Sequence, residues 1–237
     1  MKDIDLLLDK INRHKNWYHQ VEVAPGVITP GINNSYGVLE NLELPGDCRG
    51  LRALDLGTRD GFFAFELEKR GAEEVIAIDH ISPEKTGFLI LKEIFGSKVQ
   101  YYQDNVYNLS KEKYGEFDLV LCLGLLYHLR DPLLALNRVR EVCRNELYVE
   151  SFVIDDHFIN NKELLNIPIM QFYPTNELSG DFTNWWGPNS ICLLKMLEAT
   201  NFTVTLTKIT GDRAIFKCKI NEDTKVKYFR EIEKATF

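Results

Sequence analysis

Short runs of polar residues and glycines follow three apolar, strand-like segments of the sequence. Gly57 to Gly61 follow the first segment, Asp79 follows the second, and Asp104 and Asn105 follow the third. Glycine lets a backbone approach a ligand closely, and a carboxylate at the end of a neighbouring strand can accept both hydroxyls of a ribose. The pattern therefore predicts a nucleoside site at the carboxyl ends of a parallel sheet. The alternative is that Asp79 only caps the helix that follows it.

The glycine-containing turn indicates which nucleoside to expect. A dinucleotide fingerprint reads G-x-G-x-x-G, whereas here Thr58 is followed by Arg59 where the second glycine belongs. A pyrophosphate therefore fits poorly, but an amino acid of the methionine type needs only one close glycine. Asp55 is expected to hold the ammonium group of that amino acid, and His80 is assigned to the same site. With an adenine amino group read after the third strand, the predicted ligand is S-adenosylmethionine.

Two titratable residues are expected near the position from which a methyl group would be transferred. His128 follows a fourth strand-like run, and the ordinary pKa of histidine near neutrality makes it a candidate general base. The alternative is a histidine that bonds to backbone or caps the next helix. Glu150 lies in an apolar fifth run, where an unpaired buried carboxylate is costly, so it either contacts the acceptor or lies nearer the surface. Leu123 and Tyr127 are expected to line the donor pocket.

An aromatic segment over residues 171–189 shows neither helical nor strand periodicity. Long irregular segments in compact domains are often functional. Trp185 and Trp186 are candidates for stacking on a sugar or a base, and Asn184 is a candidate for orienting a polar acceptor. The alternative is that the two tryptophans plug this segment onto the sheet.

The N-terminal region and the last strand-like run supply the remaining candidates. Tyr18 and His19 precede a stretch rich in proline and glycine, which is expected to fold over the donor and bring His19 near the acceptor. The alternative for His19 is an exposed or structural position. Arg213, Lys217 and Lys219 share one face of the last run, either as a phosphate-binding patch or as an ordinary solvated face.

The elements that must position these residues alternate between strand and helix. Helices are predicted over residues 4–18, 61–70, 86–95, 132–143 and 190–199, and strands over 52–56, 74–78, 99–102, 117–123, 146–152, 202–209 and 213–220. The alternation predicts an α/β fold with a mostly parallel sheet and helices on both faces.

The composition limits the class of protein. Hydrophobic residues make up 45% and charged residues 27% of the 237 residues, which excludes disordered and fibrous chains. The net charge of −7 argues against a dedicated nucleic-acid coat. Five scattered cysteines predict reduced thiols in a cytoplasmic protein, and neither a signal peptide nor a membrane span is expected. No metal site is expected at Asp155, Asp156 and His157, because adjacent side chains of a strand point to opposite faces.

Several motifs together resemble class I S-adenosylmethionine-dependent methyltransferases. These are Asp55–Gly61, Ala77–Asp79 and Gly124–Pro132. The last of them, with Trp17–His19 and Val23–Gly31, is similar more narrowly to the branch that contains tRNA wobble-uridine methyltransferases and tRNA carboxymethyltransferases. The resemblance implies a Rossmann-like sheet of seven strands in which the last strand is antiparallel.

The resemblance, which spans residues 15–215, implies a single methyltransferase domain with five parts. These are an N-terminal helix and arm (1–50), a donor-binding core (51–152), an acceptor lid inserted after the fifth strand (153–190), a helix with the final hairpin (191–220) and a tail (221–237). Carboxymethyltransferases of this branch have a longer N-terminal domain with a basic residue for a carboxylated donor. No such residue is located in this sequence, so unmodified S-adenosylmethionine is the expected donor.

The sequence therefore predicts a cytoplasmic S-adenosylmethionine-dependent O-methyltransferase. Because the net charge is acidic, the expected acceptor is a small polar, sugar-like or phosphorylated metabolite. The alternative is methylation of 5-hydroxyuridine at the wobble position of tRNA, for which phosphate contacts would make activity strongly dependent on salt. A third hypothesis is a protein that binds the nucleoside without turnover.

Overall fold

The computed structural model describes residues 4–161 and 163–222. Its helices are α1 (Ile4–Asn12), α2 (Tyr36–Leu42), α3 (Phe62–Lys69), α4 (Phe88–Phe95), α5 (Lys111–Tyr114), α6 (Pro132–Val142) and α7 (Ser190–Ala199). Its strands are β1 (Glu22–Ala24), β2 (Val27–Ile28), β3 (Arg52–Leu56), β4 (Glu74–Asp79), β5 (Gln100–Gln103), β6 (Phe117–Leu123), β7 (Cys143–Phe152), β8 (Met170–Phe172), β9 (Trp186–Pro188), β10 (Phe202–Thr210) and β11 (Arg213–Ile220). The predicted tail lies, from residue 223 onward, outside the described residues.

Seven strands form one sheet in the order β10-β11-β7-β6-β3-β4-β5. The strands β3, β4 and β5 pair in parallel. In contrast, β11 pairs antiparallel with both β7 and β10. The predicted α/β sheet of seven strands with an antiparallel last strand is therefore confirmed.

The chain divides into two compact units. Among the described residues, the first unit contains residues 4–108 together with Phe117–Leu121, and the second contains Leu109–Glu116 and residues 122–161 and 163–222. In the first unit, β3 and β4 are buried almost throughout, as central strands of a parallel sheet must be.

The start of α3 requires a glycine. Gly61 has a φ of 92°, a left-handed conformation that side chains rarely adopt. A Cβ at this position would also lie 2.6 Å from the Phe65 ring and 2.7 Å from the Phe88 ring. The turn after β3 can therefore pass directly into a helix that packs closely on the core.

The first helix is shorter than its apolar periodicity predicts. The expected helix over 4–18 ends at Asn12, so the prediction is wrong for the remaining residues. The indole nitrogen of Trp17 donates a hydrogen bond to the Ile11 carbonyl at 3.0 Å and thereby turns the chain back onto the last helical turn. The Trp17 ring packs on Gly87, where a Cβ would lie only 2.0 Å from the indole.

The second unit also departs from one local expectation. The aromatic segment was expected to have no strands, but β8 and β9 at its two ends pair antiparallel, with Phe172 opposite Trp186. The helix α7 is capped by Asn189, whose side chain accepts the N–H of Cys192 at 2.9 Å. The expected hairpin of β10 and β11 is present, with Gly211 in its turn.

All five cysteines are free thiols. Over residues 4–161 and 163–222, every helix is too short or too polar to cross a membrane.

Candidate functional site

The loop after β3 (residues 57–61, the donor loop) curls onto the end of β4. Gly57 adopts a φ of 72° and donates its N–H to the Ile78 carbonyl at 2.8 Å. Arg59 adopts a φ of 50° and donates its N–H to Asp79 Oδ2 at 2.9 Å. Its guanidinium lies 5.1 Å from the centre of the Tyr18 ring. The positive φ of Arg59 shows how the loop accommodates a residue where a second glycine would be usual.

Asp79 ends β4 with its carboxylate buried. Besides Arg59, the backbone N–H of Ile81 donates to its Oδ1 at 2.9 Å, and Nδ1 of the exposed His80 ring lies 3.2 Å from the same oxygen. Each oxygen of an ionised carboxylate has two lone-pair sites. Asp79 therefore retains acceptor capacity, and its contact with ribose hydroxyls stays a prediction.

Asp55 is buried beneath the donor loop. It accepts the hydroxyl of Thr58 at 2.7 Å and the N–H of Ala64. Burial raises the pKa of Asp55 to about 7, although both hydrogen bonds lower it. The carboxyl group thus links the donor loop to α3, and its contact with an ammonium group stays a prediction.

Asp104 and Asn105 follow β5 at the same sheet edge as Asp79. The N–H of Asp104 donates to the Asp79 carbonyl at 2.9 Å. Asp104 Oδ1 accepts the N–H of Asn105 at 2.8 Å, and Asn105 Oδ1 accepts the N–H of Tyr107 at 3.0 Å. Both side chains therefore shape the turn after β5, and the structure brings the three predicted donor segments of the first unit together.

Asp60 is a site residue that the sequence analysis missed. It is buried, and its Oδ2 accepts the N–H groups of Tyr18 at 2.7 Å and His19 at 2.8 Å. Its Oδ1 accepts the N–H of Gly87 at 2.8 Å. The available signal was an acid inside the donor loop. Asp60 fixes the N-terminal arm to this loop.

His19 occupies a buried position in the first unit. Its ring lies 5.8 Å from the Phe62 ring and 6.3 Å from the Phe63 ring. Its Nδ1 is 3.9 Å from Asp60 Oδ2 and has no hydrogen-bond partner among the described residues. Burial lowers the pKa of His19 to about 4, although Asp60 acts in the opposite direction. This position supports the structural alternative.

Glu150 and Arg213 form an ion pair in the second unit. Glu150 is only 3% exposed, and both of its carboxylate oxygens bond to the guanidinium, Oε2 to Nη2 at 2.8 Å and Oε1 to Nε. The guanidinium carbon lies 5.2 Å from the centre of the Tyr127 ring. Although burial acts against its charge, the Glu150 carboxylate raises the pKa of Arg213. The sequence predicted the cost of a buried Glu150 but did not identify this partner.

His128 ends a short 3-10 turn, Leu126–His128, directly after β6. Its Nδ1 lies 2.9 Å from the hydroxyl oxygen of Thr183, which donates to Asp181 Oδ1 at 2.7 Å. No local sequence pattern connects Asp181 and Thr183 with His128, because they are remote from it in the chain. The candidate base is thus held by a hydroxyl and a carboxylate of the aromatic segment.

The two tryptophans of the aromatic segment hold it in place. The indole N–H of Trp186 donates to the Arg130 carbonyl at 3.0 Å, and the N–H of Trp185 donates to the Tyr127 carbonyl at 2.9 Å. Trp186 also lines a small apolar cavity with Leu126, Tyr127, Pro132, Met170, Pro188, Leu193 and Met196. These contacts support the alternative in which the tryptophans plug the segment in place.

Asn184 retains an unused acceptor. The residue is 5% exposed, its Nδ2 donates to the Leu178 carbonyl at 3.0 Å, and its Oδ1 is buried without a partner among the described residues. A buried amide oxygen without a partner is costly unless a ligand or water supplies a donor. This feature supports the predicted contact of Asn184 with a polar acceptor. Leu123 ends β6 half-buried.

Two of the other charged candidates, Lys217 and Asp155, have protein partners. Lys217 Nζ lies 3.5 Å from Glu146 Oε1, whereas Lys219 is exposed. Asp155 accepts both the N–H of Ser190 at 2.8 Å and its hydroxyl at 2.6 Å. No group of three or more His, Cys, Asp and Glu side chains placed to hold a metal ion occurs within residues 4–161 and 163–222.

Comparisons with known proteins identify similar chains. A family model described as a methyltransferase domain matches residues 7–207. A tRNA U34 carboxymethyltransferase of Dichelobacter nodosus is 28% identical over 191 residues, which cover 79% of this chain and 55% of that protein. A tRNA U34 carboxymethyltransferase of Campylobacter hominis is 32% identical over 112 residues, which cover 46% of this chain and 39% of that protein. The chain thus spans about half the length, or less, of these relatives.

A solved structure with a similar fold is the N-terminal domain of EvdMO1, crystallised in the presence of SAH and D-fucose. It superimposes with a TM-score of 0.63 at 17% identity and covers 93% of this chain and 97% of that domain. At this identity the similarity shows the fold.

Proposed function

The chain belongs to the methyltransferase-domain family, which confirms the predicted class I S-adenosylmethionine-dependent enzyme, and we propose that it methylates 5-hydroxyuridine at the wobble position of tRNA. The observation that carries this proposal is the similarity over 191 residues to a tRNA U34 carboxymethyltransferase. Because the chain covers only part of such relatives, the tRNA wobble position is assigned to it as a proposal, and the proposed donor remains unmodified S-adenosylmethionine. A tRNA substrate and five free cysteines support a cytoplasmic location.

The donor loop and the end of β4 fit S-adenosylmethionine. The positive φ of Gly57 lets the backbone come close to a ligand, and Asp79 keeps lone pairs for ribose hydroxyls. When bound, S-adenosylmethionine supplies a methyl group on a positively charged sulfur. The residues of the first unit bind and orient this donor, and Asp60 keeps the arm in place beside the donor loop.

On the acceptor side, we assign to His128 the role of general base, which takes the proton of the acceptor hydroxyl. A hydroxyl that gains a methyl group must lose its proton, and a neutral imidazole is suited to take it near neutral pH. Glu150 is bonded to Arg213 through both oxygens, so its proposed role is to hold the guanidinium rather than to accept a proton. Asn184 supplies an acceptor oxygen for a polar group of the substrate.

The test is a methyl-transfer assay on tRNA transcripts that carry either 5-hydroxyuridine or uridine at the wobble position. Nucleoside mass spectrometry should detect 5-methoxyuridine only with the first transcript and S-adenosylmethionine. Offering carboxylated S-adenosylmethionine in parallel distinguishes methyl from carboxymethyl transfer. A steep fall of activity with salt is expected, because phosphate contacts release counterions. No modification of either transcript would contradict the proposal.

A second candidate acceptor is a sugar-like hydroxyl. Two of the three basic residues proposed as a phosphate patch are already paired, Arg213 with Glu150 and Lys217 with Glu146, which favours an uncharged acceptor. The EvdMO1 domain of the same fold was crystallised in the presence of D-fucose. Methylation of a deoxysugar panel, with no salt dependence, would select this candidate over tRNA.

A further inference from the structure

A hydroxyl group links a carboxylate to the imidazole of the candidate base. Thr183 Oγ1 lies 2.7 Å from Asp181 Oδ1 and 2.9 Å from His128 Nδ1. Asp181 Oδ1 also accepts the backbone N–H of Thr183 at 2.8 Å, which fixes the carboxylate against the same residue. These three residues, called the relay below, join the turn after β6 to the aromatic segment.

The relay determines where its protons lie. An ionised carboxylate only accepts hydrogen bonds, so the single hydroxyl proton of Thr183 points to Asp181. Although burial acts in the opposite direction, the N–H and hydroxyl of Thr183 and the nearby His128 lower the pKa of Asp181, which is therefore ionised at neutral pH. The Thr183 oxygen then offers only lone pairs to His128 Nδ1, and this nitrogen must carry a proton to complete the contact.

We propose that Asp181 and Thr183 are positioning residues that hold His128 in the Nδ1–H tautomer and so make Nε2 its basic nitrogen. This inference rests on the proposed function in assigning the proton of the acceptor hydroxyl to His128. A neutral imidazole has one N–H and one lone pair, and the bond made by one nitrogen sets the role of the other. The arrangement resembles in its logic a carboxylate that orients a catalytic histidine, with a hydroxyl inserted between them.

The transfer balances with this assignment. The acceptor O–H proton moves to Nε2 of His128, and the oxygen forms its new bond to the methyl carbon. The carbon–sulfur bond breaks, its electron pair stays on sulfur, and S-adenosylhomocysteine leaves as a neutral thioether. The resulting imidazolium keeps its Nδ1–H on Thr183, whose hydroxyl remains bonded to the negative Asp181, so the positive charge is stabilised through the relay.

The decisive experiment reads the tautomer directly. Long-range proton–nitrogen correlation spectra of the ¹⁵N-labelled full chain at about pH 8, where a histidine of ordinary pKa is neutral, distinguish the protonated from the unprotonated ring nitrogen. His128→Gln assigns the resonances. We expect a protonated Nδ1 and an unprotonated Nε2 in the unsubstituted protein and in Thr183→Ser, and a shift toward the Nε2–H tautomer in Thr183→Val and Asp181→Ala, which removes the acceptor of the Thr183 hydroxyl proton. The matched control is Thr175→Val, an exposed threonine of the same segment, which should leave the His128 spectrum unchanged.

Kinetics separate this inference from the proposed function. Thr183→Val should lower kcat about 10–100-fold, while KM and donor affinity stay the same and Thr183→Ser recovers most of kcat. This loss is smaller than the roughly 10²–10⁴-fold expected for removal of a general base, because the imidazole itself remains. The relay is wrong, whatever the acceptor is, if the unsubstituted protein has the Nε2–H tautomer. It is also wrong if Thr183→Val leaves the tautomer unchanged. If the tautomer shifts but kcat does not change, the proposed effect of Asp181 and Thr183 on turnover is wrong. If the tautomer behaves as expected but no tRNA is methylated, the proposed acceptor fails and the relay stands.

Discussion

The donor side of the first unit and the side-chain cluster of the second unit both depend on carboxylates, but these carboxylates bind different groups. In the first unit, Asp60 accepts three backbone N–H groups and Asp79 accepts two. In the second unit, Glu150 binds the guanidinium of Arg213, and Asp181 binds the hydroxyl of Thr183 besides a single backbone N–H of the same residue. One set of carboxylates therefore fixes the path of the main chain, whereas the other fixes the positions of charge and protons.

This difference predicts different consequences of substitution. Loss of a backbone-binding carboxylate leaves buried N–H groups without an acceptor, so it should act mainly on stability. Loss of one member of a side-chain pair leaves the path of the main chain intact. It should therefore change the charge balance of the Glu150–Arg213 pair, or the tautomer of His128 and the turnover that depends on it. Substitutions in the two units test this contrast.

Replacement of Asp60 by alanine should have the largest effect on stability. Three buried N–H groups would lose a charged acceptor, and we expect the free energy of unfolding to fall by about 3–5 kcal/mol. Denaturant unfolding measures this value. Asp181→Ala, which removes a half-exposed carboxylate of the second unit, is the comparison and should change stability by less than about 1 kcal/mol. Equal losses for the two variants would contradict the contrast.

The buried His19 should make the protein sensitive to acid. Its pKa is about 4 in the folded protein and about 6.5 when unfolded. Between these values the unfolded state binds a proton that the folded state does not, so stability is complete above about pH 6.5 and falls by about 3 kcal/mol as the pH approaches 4. Asp55 has the opposite effect on the pH dependence of stability. Its pKa is raised to about 7 in the folded protein, so on acidification the folded state binds this proton at a higher pH than the unfolded state does, which stabilises the fold.

The difference between two variants isolates the contribution of His19. His19→Gln should lose less stability than the unsubstituted protein on acidification from about pH 7 to 4, and Asp55→Asn should lose more. Denaturant unfolding at each pH measures both slopes, and any constant offset at about pH 8 reports only lost hydrogen bonds or packing. Parallel stability curves for His19→Gln and the unsubstituted protein would show that His19 is not buried as a neutral group.

Arg213→Met should destabilise the protein by a smaller amount. The substitution leaves Glu150 buried without its partner. Because the Arg213 side chain is 37% exposed, solvent screens the ion pair, and we expect the free energy of unfolding to fall by only about 2 kcal/mol. The double variant Arg213→Met with Glu150→Met should recover more than half of the lost stability, because it removes the orphaned charge. If the double variant is no more stable than Arg213→Met, the ion pair contributes more to stability than the neutralisation of two buried charges.

The smallest effects are expected in donor binding. Asp79→Asn keeps an acceptor oxygen but loses the charge, and should weaken binding of S-adenosylhomocysteine by about 1–2 kcal/mol in calorimetry. His80→Ala removes only an exposed ring beside Asp79 and should change the affinity by less than about 0.5 kcal/mol. A larger effect of His80→Ala than of Asp79→Asn would move the ribose contact from the carboxylate to the imidazole.

The sequence predicted the features that depend on residues close together in the chain. The strands around the donor loop, the glycine turn and Asp79 follow from local periodicity and composition, and the structure places them at one sheet edge. The helix over 4–18 was predicted too long, because the bond from Trp17 to Ile11 overrides the apolar period.

The contacts that join distant segments could not be predicted in this way. Nothing in the local pattern pairs Glu150 with Arg213, or His128 with Thr183, because their proximity depends on strand order and on the path of the aromatic segment. The chemistry still gave a partial signal, since the cost of a buried unpaired Glu150 predicted that some partner must exist.

The position of β11 has a consequence for how the chain is synthesised. This strand leaves the ribosome after β7 and β10 but lies between them in the finished sheet. Until it arrives, both strands have unpaired edges, and the pairing of β11 with β7 joins residues far apart in sequence, which slows folding. Completion of this half of the sheet is thus a late step of biosynthesis. Chains that terminate before Arg213 would present open strand edges, which favour aggregation and recognition by quality-control proteases.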